Sequence, residues 1–446
     1  MRLVYLAAGA GGMYCGSCLH DNTLARALLE LGHDVLLVPT YTPLRTDEEN
    51  VSRPPVLMGG INVYLHERLP FWSMLPRSLR RLFDAPLLLR WLAGRAGSVR
   101  PERLGRLTLS VLRGEHGRQR AEVERLVDWL VEARPEVVHL SNSMLAGLAE
   151  PIARRLGVPV VCTLSGEDLF LERLPAPYYA EVREELRRRA SHVQAFVALN
   201  RYYAQFMSRY LDVPPQRVHV IPHGLRLAGH GRRQRRSDGG FSIGYLARIC
   251  PEKGLHLLVD ALALLRKDGA VPPVRLCAAG YLSSADRPYL RQIMAAAQRR
   301  GLSDAVEYVG EVDHPGKIAF LQSLDVFSVP AVYQESKGLS VYEALANGVP
   351  VVLPNHGCYP ELIEDTGGGL LCRPEDPEDL ARCIRELVTN PLLAEELGNK
   401  GREVIHARYT DLLMAERHLA LYRELCAAAS DAYASAGDTL TQSGGG

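Results

Sequence analysis

Short apolar runs alternate along the chain with segments whose apolar residues recur every three or four positions. LVYLA (3–7), HDVLLVPT (33–40), EVVHLSN (136–142), PVVCTLSG (159–166) and AFVALN (195–200) read as buried strands. Between the first two, Leu24, Ala27, Leu28 and Leu31 fall on one helical face, and Gly32 closes that helix. Such alternation predicts a parallel sheet covered by helices on both faces. The pattern breaks at RVHVIPHG (217–224), and the polar, basic, glycine-rich stretch that follows reads as a linker over 225–240. It restarts at FSIGYLAR (241–248) and continues through VRLCAAG (274–280), AVEYVG (305–310), LDVFSVP (324–330) and VPVVLP (349–354). Two α/β domains are expected, 1–224 and 241–410. The small, polar residues 429–446 are expected to be disordered.

A length of 446 residues suits two such domains. A chain that is 47% hydrophobic, 23% charged and +1 overall has no general attraction for nucleic acid. Its nine cysteines are scattered, which favours free thiols in a reducing compartment. The N-terminal apolar run meets glycine too early for a signal peptide, and no run approaches the ~18 apolar residues of a membrane span. A cytoplasmic protein is expected. One region stands apart: residues 71–120 hold eleven arginines against Asp84, Glu102 and Glu115, together with Trp72, Phe83 and Trp91. It reads either as a helical insertion (about 70–125) with a solvated basic face, or as a docking surface for an anionic or lipid-linked acceptor at the inner face of a membrane.

Candidate chemistry gathers in the second half. In QESKGLSVYEALANGVPVVLP (334–354), a loop carrying Glu335, Lys337 and Gly338 leads into a helix that begins near Leu339 and carries Glu343. A strand precedes this loop, so loop and helix start meet above the carboxyl end of a sheet, where free N–H groups favour phosphate. Two carboxylates there suit a ligand that also bears hydroxyls, such as a ribose or a sugar; the plainer reading is a pair of ordinary helix-start acids. In GYLARICPEKGLHLLVDAL (244–262), Arg248 ends a strand and Lys253 opens a helix. Two fixed cations there would stabilise a departing diphosphate. The chain has only five lysines, Lys253, Lys267, Lys317, Lys337 and Lys400, so a lysine placed against a helix dipole stands out.

The N-terminal AGAGGMYCGSCL (8–19) superimposes a glycine loop on a Cys15–Cys18 pair. Gly9 and Gly11 begin a GxGxxG pattern, but Tyr14 occupies its third position and no acid ends VLLVPT, which argues against a nicotinamide-dependent enzyme. A structural zinc site needs four ligands, and Cys15, Cys18 and His20 have no second pair to complete them.

Taken together, Arg248 with Lys253, Glu335 and Glu343 seven residues apart, Gly338 and GVPVVLPNHGCYPELI resemble the retaining GT-B glycosyltransferases of glycosyltransferase family 4. The glycine loop, LARALLELGHDVLLV and the hinge-like RVHVIPHG agree, so the resemblance runs over roughly residues 1–425 and is weakest across 65–125. It implies two Rossmann-like, doubly wound domains facing a cleft, with a helix over 411–428 crossing back to the first. It implies a UDP-, GDP- or ADP-sugar donor, an acceptor bound mainly by the first domain, transfer with retention, and no metal or other cofactor. Arg248 and Lys253 would hold the diphosphate, Glu335 the sugar near its reacting carbon and Glu343 the ribose. The backbone of Gly338 and Leu339 would meet phosphate and sugar, and Gly310 and Val312 would lie near the base. Gly11 and Gly12 would approach donor or acceptor, and Cys15 and Cys18 would be small residues lining the cleft. Many members carry a histidine where this chain has Ser165, which leaves Glu167 or Asp168 as the polar group there, or makes Ser165 a helix cap. His139 and His223 read as structural. A phosphorylase lacks a convincing cofactor lysine here. An epimerase of the same fold and a catalytically silent nucleotide-sugar binder remain as alternatives.

Overall fold

A computed structural model describes residues 1–9, 15–53, 104–234, 240–269 and 271–442, with side chains as far as 431. The chain divides into two compact units. The first contains Met1–Leu199, Tyr203–Gly224 and Asp411–Gly446, and the second Asn200–Tyr202 and Leu225–Thr410.

In the first unit six strands, β1 (Arg2–Ala7), β2 (Asp34–Pro39), β3 (Val137–Leu140), β4 (Val160–Leu164), β5 (Ala195–Ala198) and β6 (Val218–Val220), form one sheet in the order β2-β1-β3-β4-β5-β6. Every pairing is parallel. The strands are nearly continuous hydrophobic runs because helices cover both faces. Helix Gly16–Glu30 buries Leu24, Ala25, Ala27 and Leu28 against β1, and helix Asp411–Gln442 adds Met414, Ala415, Leu419 and Tyr422 to the same core.

In the second unit β7 (Phe241–Leu246), β8 (Val274–Ala279), β9 (Val306–Gly310), β10 (Val326–Phe327), β11 (Val351–Pro354) and β12 (Gly369–Cys372) lie in the order β12-β11-β10-β7-β8-β9, again parallel throughout. From β7 the chain winds outward to β9, then returns to place β10 on the other side of β7. The crevice between the carboxyl ends of β7 and β10 is therefore a topological switch point, the place where open α/β sheets bind ligands. The order in the first unit reverses in the same way between β1 and β3.

Three expectations change. The tail expected to be disordered from 429 continues the last helix to Gln442, since alanines 427–429, 432, 434 and 436 are strong helix formers and no proline interrupts them. The stretch expected to be a polar linker is held along the second unit for as far as it is described. Gly231 N donates to Asn347 Oδ1 (3.1 Å), Gln234 N to Gln322 O (2.7 Å), and Arg402 Nε to Gly231 O (2.9 Å). Cys18, expected to line a cleft, is a core residue. It lies 2% exposed in the core beneath the first helix, while Cys15 heads that helix and its carbonyl accepts the Leu19 N–H at 3.0 Å. Most of the basic region 71–120, with Gly11 and Gly12, lies outside the described residues.

Candidate active site

The switch point in the second unit assembles the residues singled out above. Beyond β7 the chain passes Arg248 and makes a short turn, Pro251–Lys253, before helix Leu255–Leu265. Gly254 closes the turn with φ +73°, and a Cβ there would sit 1.9 Å from the Pro330 carbonyl, so glycine is what lets the Lys253 turn seat against the loop after β10. That loop delivers Tyr333 and Glu335, and helix Leu339–Ala346 follows, headed by Gly338.

The Lys253 ammonium forms an ion pair with Glu335 Oε2, and the same oxygen accepts the Tyr333 hydroxyl at 2.8 Å. The other carboxylate oxygen accepts the N–H groups of Ser336 (3.1 Å) and Lys337 (3.2 Å). The Lys253 ammonium lies 5.0 Å from the centroid of the Tyr333 ring. Glu335 is only 4% exposed. Burial opposes its charge, but Lys253, Tyr333 and Lys337 outweigh that and hold the carboxyl down at about 2. Beneath it Cys358 donates its N–H to Glu335 O (2.8 Å), and burial followed by the Glu335 charge pushes the Cys358 thiol well up, away from reactivity. Gly357 permits this approach, because a Cβ there would lie 2.6 Å from both Glu335 N and Glu335 O.

A second ion pair, more deeply buried, involves the helix that follows this loop. Lys317, on helix His314–Gln322, meets Glu343 Oε1 at 2.5 Å, and both side chains are under a tenth exposed. The turn that leads to this helix holds Gly310 and Val312. Gly310 accepts Gly280 N–H at 2.9 Å, and Asp313 caps the helix through Gly316 N–H (2.9 Å). Arg248 is anchored by its own turn: its Nε donates to Cys250 Sγ (3.3 Å), and its carbonyl accepts the Tyr245 hydroxyl (3.1 Å). Sequence reasoning missed Tyr333 and Lys317. The scarcity of lysine was a signal for Lys317; Tyr333, two residues from Glu335, offered none.

The residues near Ser165 belong to the first unit, and their positions differ from the cap reading. Helix Asp168–Leu171 has no side-chain cap from Ser165. Instead Glu167 accepts Ser143 N (3.0 Å), Ser143 Oγ (2.6 Å) and Ser165 N (2.7 Å), tying the loops after β3 and β4 together. Asp168 accepts the Tyr203 hydroxyl (2.6 Å), and Ser165 Oγ lies 3.2 Å from Ser17 Oγ. His139 is structural: it bridges Tyr422 OH (2.5 Å) and Thr163 Oγ1 (2.8 Å) and stacks on Tyr5. His223 meets His20 (Nδ1 to Nδ1, 3.0 Å) within the same buried cluster.

Two doubly wound parallel sheets, each with a switch point and the second bearing paired lysines and carboxylates there, define a two-domain Rossmann-like GT-B fold. Residues 231–404 match the family Glycosyl transferases group 1, and residues 93–228 match Glycosyltransferase Family 4. The chain belongs to the GT-B glycosyltransferases of the family 4 type. It is 26% identical over 277 residues to glycogen synthase of Mycobacterium tuberculosis, covering 60% of this chain and 64% of that one. It is 29% identical over 306 residues to D-inositol 3-phosphate glycosyltransferase of Segniliparus rotundus, covering 65% and 66%. The match thus spans about two thirds of each relative's length. In fold it is similar to sucrose-phosphate synthase of Thermosynechococcus elongatus, with TM-score 0.69 and 18% identity over 96% of this chain and 100% of that one. It is also similar to Anabaena HepE solved with UDP, with TM-score 0.64 and 16% identity over 95% and 100%.

Proposed function

We propose that the protein transfers a sugar from a nucleoside-diphosphate sugar to an acceptor hydroxyl, with retention of anomeric configuration. The observation that carries this reading is the pairing of half-buried Lys253 with buried Glu335 at the switch point, with the buried Lys317–Glu343 pair on the helix that follows. A carboxylate held ionised in a dry site stabilises positive charge at an anomeric carbon, and an ammonium next to it stabilises the negative charge of a departing diphosphate. In the step proposed, the bond from the anomeric carbon to the diphosphate oxygen breaks and its electron pair leaves with the diphosphate. The acceptor oxygen bonds to that carbon, and its proton passes to a departing phosphate oxygen. Arg248 and Lys253 hold the diphosphate, Glu335 faces the sugar, Glu343 takes the ribose hydroxyls, Gly338 and Leu339 offer helix-start N–H groups, and Gly310 and Val312 flank the base. Lys337 adds positive charge to the loop. The neighbour solved with UDP favours uridine donors as the first to try. The acceptor is bound mainly by the first unit, which also carries Ser165.

Hydrolysis and transfer are measured with UDP-, GDP- and ADP-sugars, alongside thermal-shift binding of the free nucleotides, and the anomer formed is read by NMR. One donor class is expected to turn over with retained configuration. Glu335→Gln is expected to lower turnover at least about 100-fold, the usual scale for a lost electrostatic stabiliser, while nucleotide binding persists. Tight nucleotide binding without turnover of any donor would favour a silent binder, and equal turnover by the variant would remove Glu335 from the mechanism.

A further inference from the structure

Residues Asn200–Tyr202 belong with the second unit, although the chain on either side of them belongs to the first. All three reach the loop that carries Glu335 or the helix behind it. Asn200 Nδ2 donates to Ser336 O at 2.7 Å, and both residues are almost wholly buried (4% and 3% exposed). The Tyr202 hydroxyl donates to Gln334 Oε1 at 2.8 Å. The N–H groups of Arg201 and Tyr202 donate to the two carboxylate oxygens of Glu361, each at 2.8 Å. Glu361 lies in the first turn of helix Tyr359–Thr366, next to Cys358, which holds the Glu335 carbonyl.

The contact to Ser336 has a consequence for Glu335. The carbonyl of Ser336 and the N–H of Lys337 belong to one peptide group, which is planar and trans, so the two point in opposite directions. Asn200 grips the carbonyl, and the N–H on the far side donates to Glu335 Oε1. Turning this peptide would break both bonds together. An asparagine amide suits the task because its Nδ2 donates, whereas an aspartate of the same shape would offer only acceptor oxygens to the carbonyl.

We propose that Asn200 is a positioning residue for the reaction, fixing the Ser336–Lys337 peptide so that its N–H aims the Glu335 carboxylate. This rests on the role given to Glu335 above. The test uses full-length Asn200→Asp and Asn200→Ala and reads two independent quantities. The first is hydrogen exchange at the Lys337 amide by NMR, compared with amides of helix Leu255–Leu265. The second is hydrolysis of UDP-glucose, with UDP affinity measured separately. Asn200→Asp is expected to speed exchange at Lys337 at least tenfold with the helix unchanged, and to lower turnover at least tenfold while UDP affinity moves less than threefold. Asn200→Ala is expected to do the same to a smaller degree, and it serves alone if the aspartate variant does not fold. Unchanged exchange at Lys337 overturns the proposal whatever the turnover. Faster exchange with normal turnover overturns its link to the reaction. If the parent protein hydrolyses no UDP-glucose, or Glu335→Gln retains full turnover, the reading of Glu335 fails by itself, and the exchange result still decides whether Asn200 holds the peptide.

Discussion

At the scale of single residues, the two ion pairs dominate. Lys253 and Glu335 form a charge pair largely removed from water, and removing one member strands the other. Lys253→Ala is expected to cost roughly 3 kcal/mol of stability as well as weakening nucleotide binding. Lys253→Met combined with Glu335→Leu is expected to recover most of that stability and none of the activity, because a buried pair adds little over apolar replacement. Urea melts of the two variants, with nucleotide binding and turnover measured alongside, check both statements. A single variant that loses activity at unchanged stability would show that the pair does not form in solution. The same pairing explains what sequence reading could and could not find. Glu335, Glu343, Lys253 and Arg248 were legible because their spacing relative to glycines and strand ends is local. That Lys317 meets Glu343 was not, because the two stand on different helices and only packing sets their distance.

At the scale of elements, the active-site loops depend on close backbone approaches that side chains would block. Gly254→Ala puts a methyl group into the Pro330 carbonyl and asks alanine to hold a left-handed backbone, so a loss of about 2–3 kcal/mol is expected by denaturant titration. A near-neutral result would mean that the Lys253 turn can shift away from the β10 loop. Ten of the twelve strands follow from apolar runs, and two do not. β6 has partly exposed residues and sits at a sheet edge, so its polar alternation reads as a break; β12 is four residues, GLLC, between a glycine cluster and a proline-rich turn. Short edge strands owe their existence to a neighbour's hydrogen bonds, which local pattern does not encode. The first-unit residues Glu167 and Asp168 were legible as polar but not as the buried ties they are, since their partners Ser143 and Tyr203 lie 24 and 35 positions away.

At the scale of the whole molecule, the first unit carries a pH dependence. His418 is fully buried, its Nδ1–H donates to Met414 O (2.8 Å), and it neighbours His139, His20 and Tyr422. Burial pulls its pKa down to about 4, and burial with the His418 charge pulls His139 well down too. A histidine held neutral in the fold but free to protonate when unfolded stabilises fully above pH ~6.5, and that contribution disappears as pH falls toward 4. For His418 this is roughly 3 kcal/mol, from about 1.4 kcal/mol per pKa unit. The melting temperature is expected to fall between pH 6.5 and 4, and His418→Leu to flatten that slope. An unchanged slope would assign the acid sensitivity elsewhere.

His418 also sits on the helix that begins after the second unit ends, and that helix supplies Met414, Ala415, Leu419, Leu421 and Tyr422 to a core whose other buried members come from residues 3–221. During synthesis, then, residues 3–221 emerge before the helix residues that complete their core, while Leu225–Thr410 has all its own core residues in hand as soon as it is made. The order of manufacture and the order of completion are reversed. The domain translated first must wait some two hundred residues for its last helix, exposed to chaperones throughout.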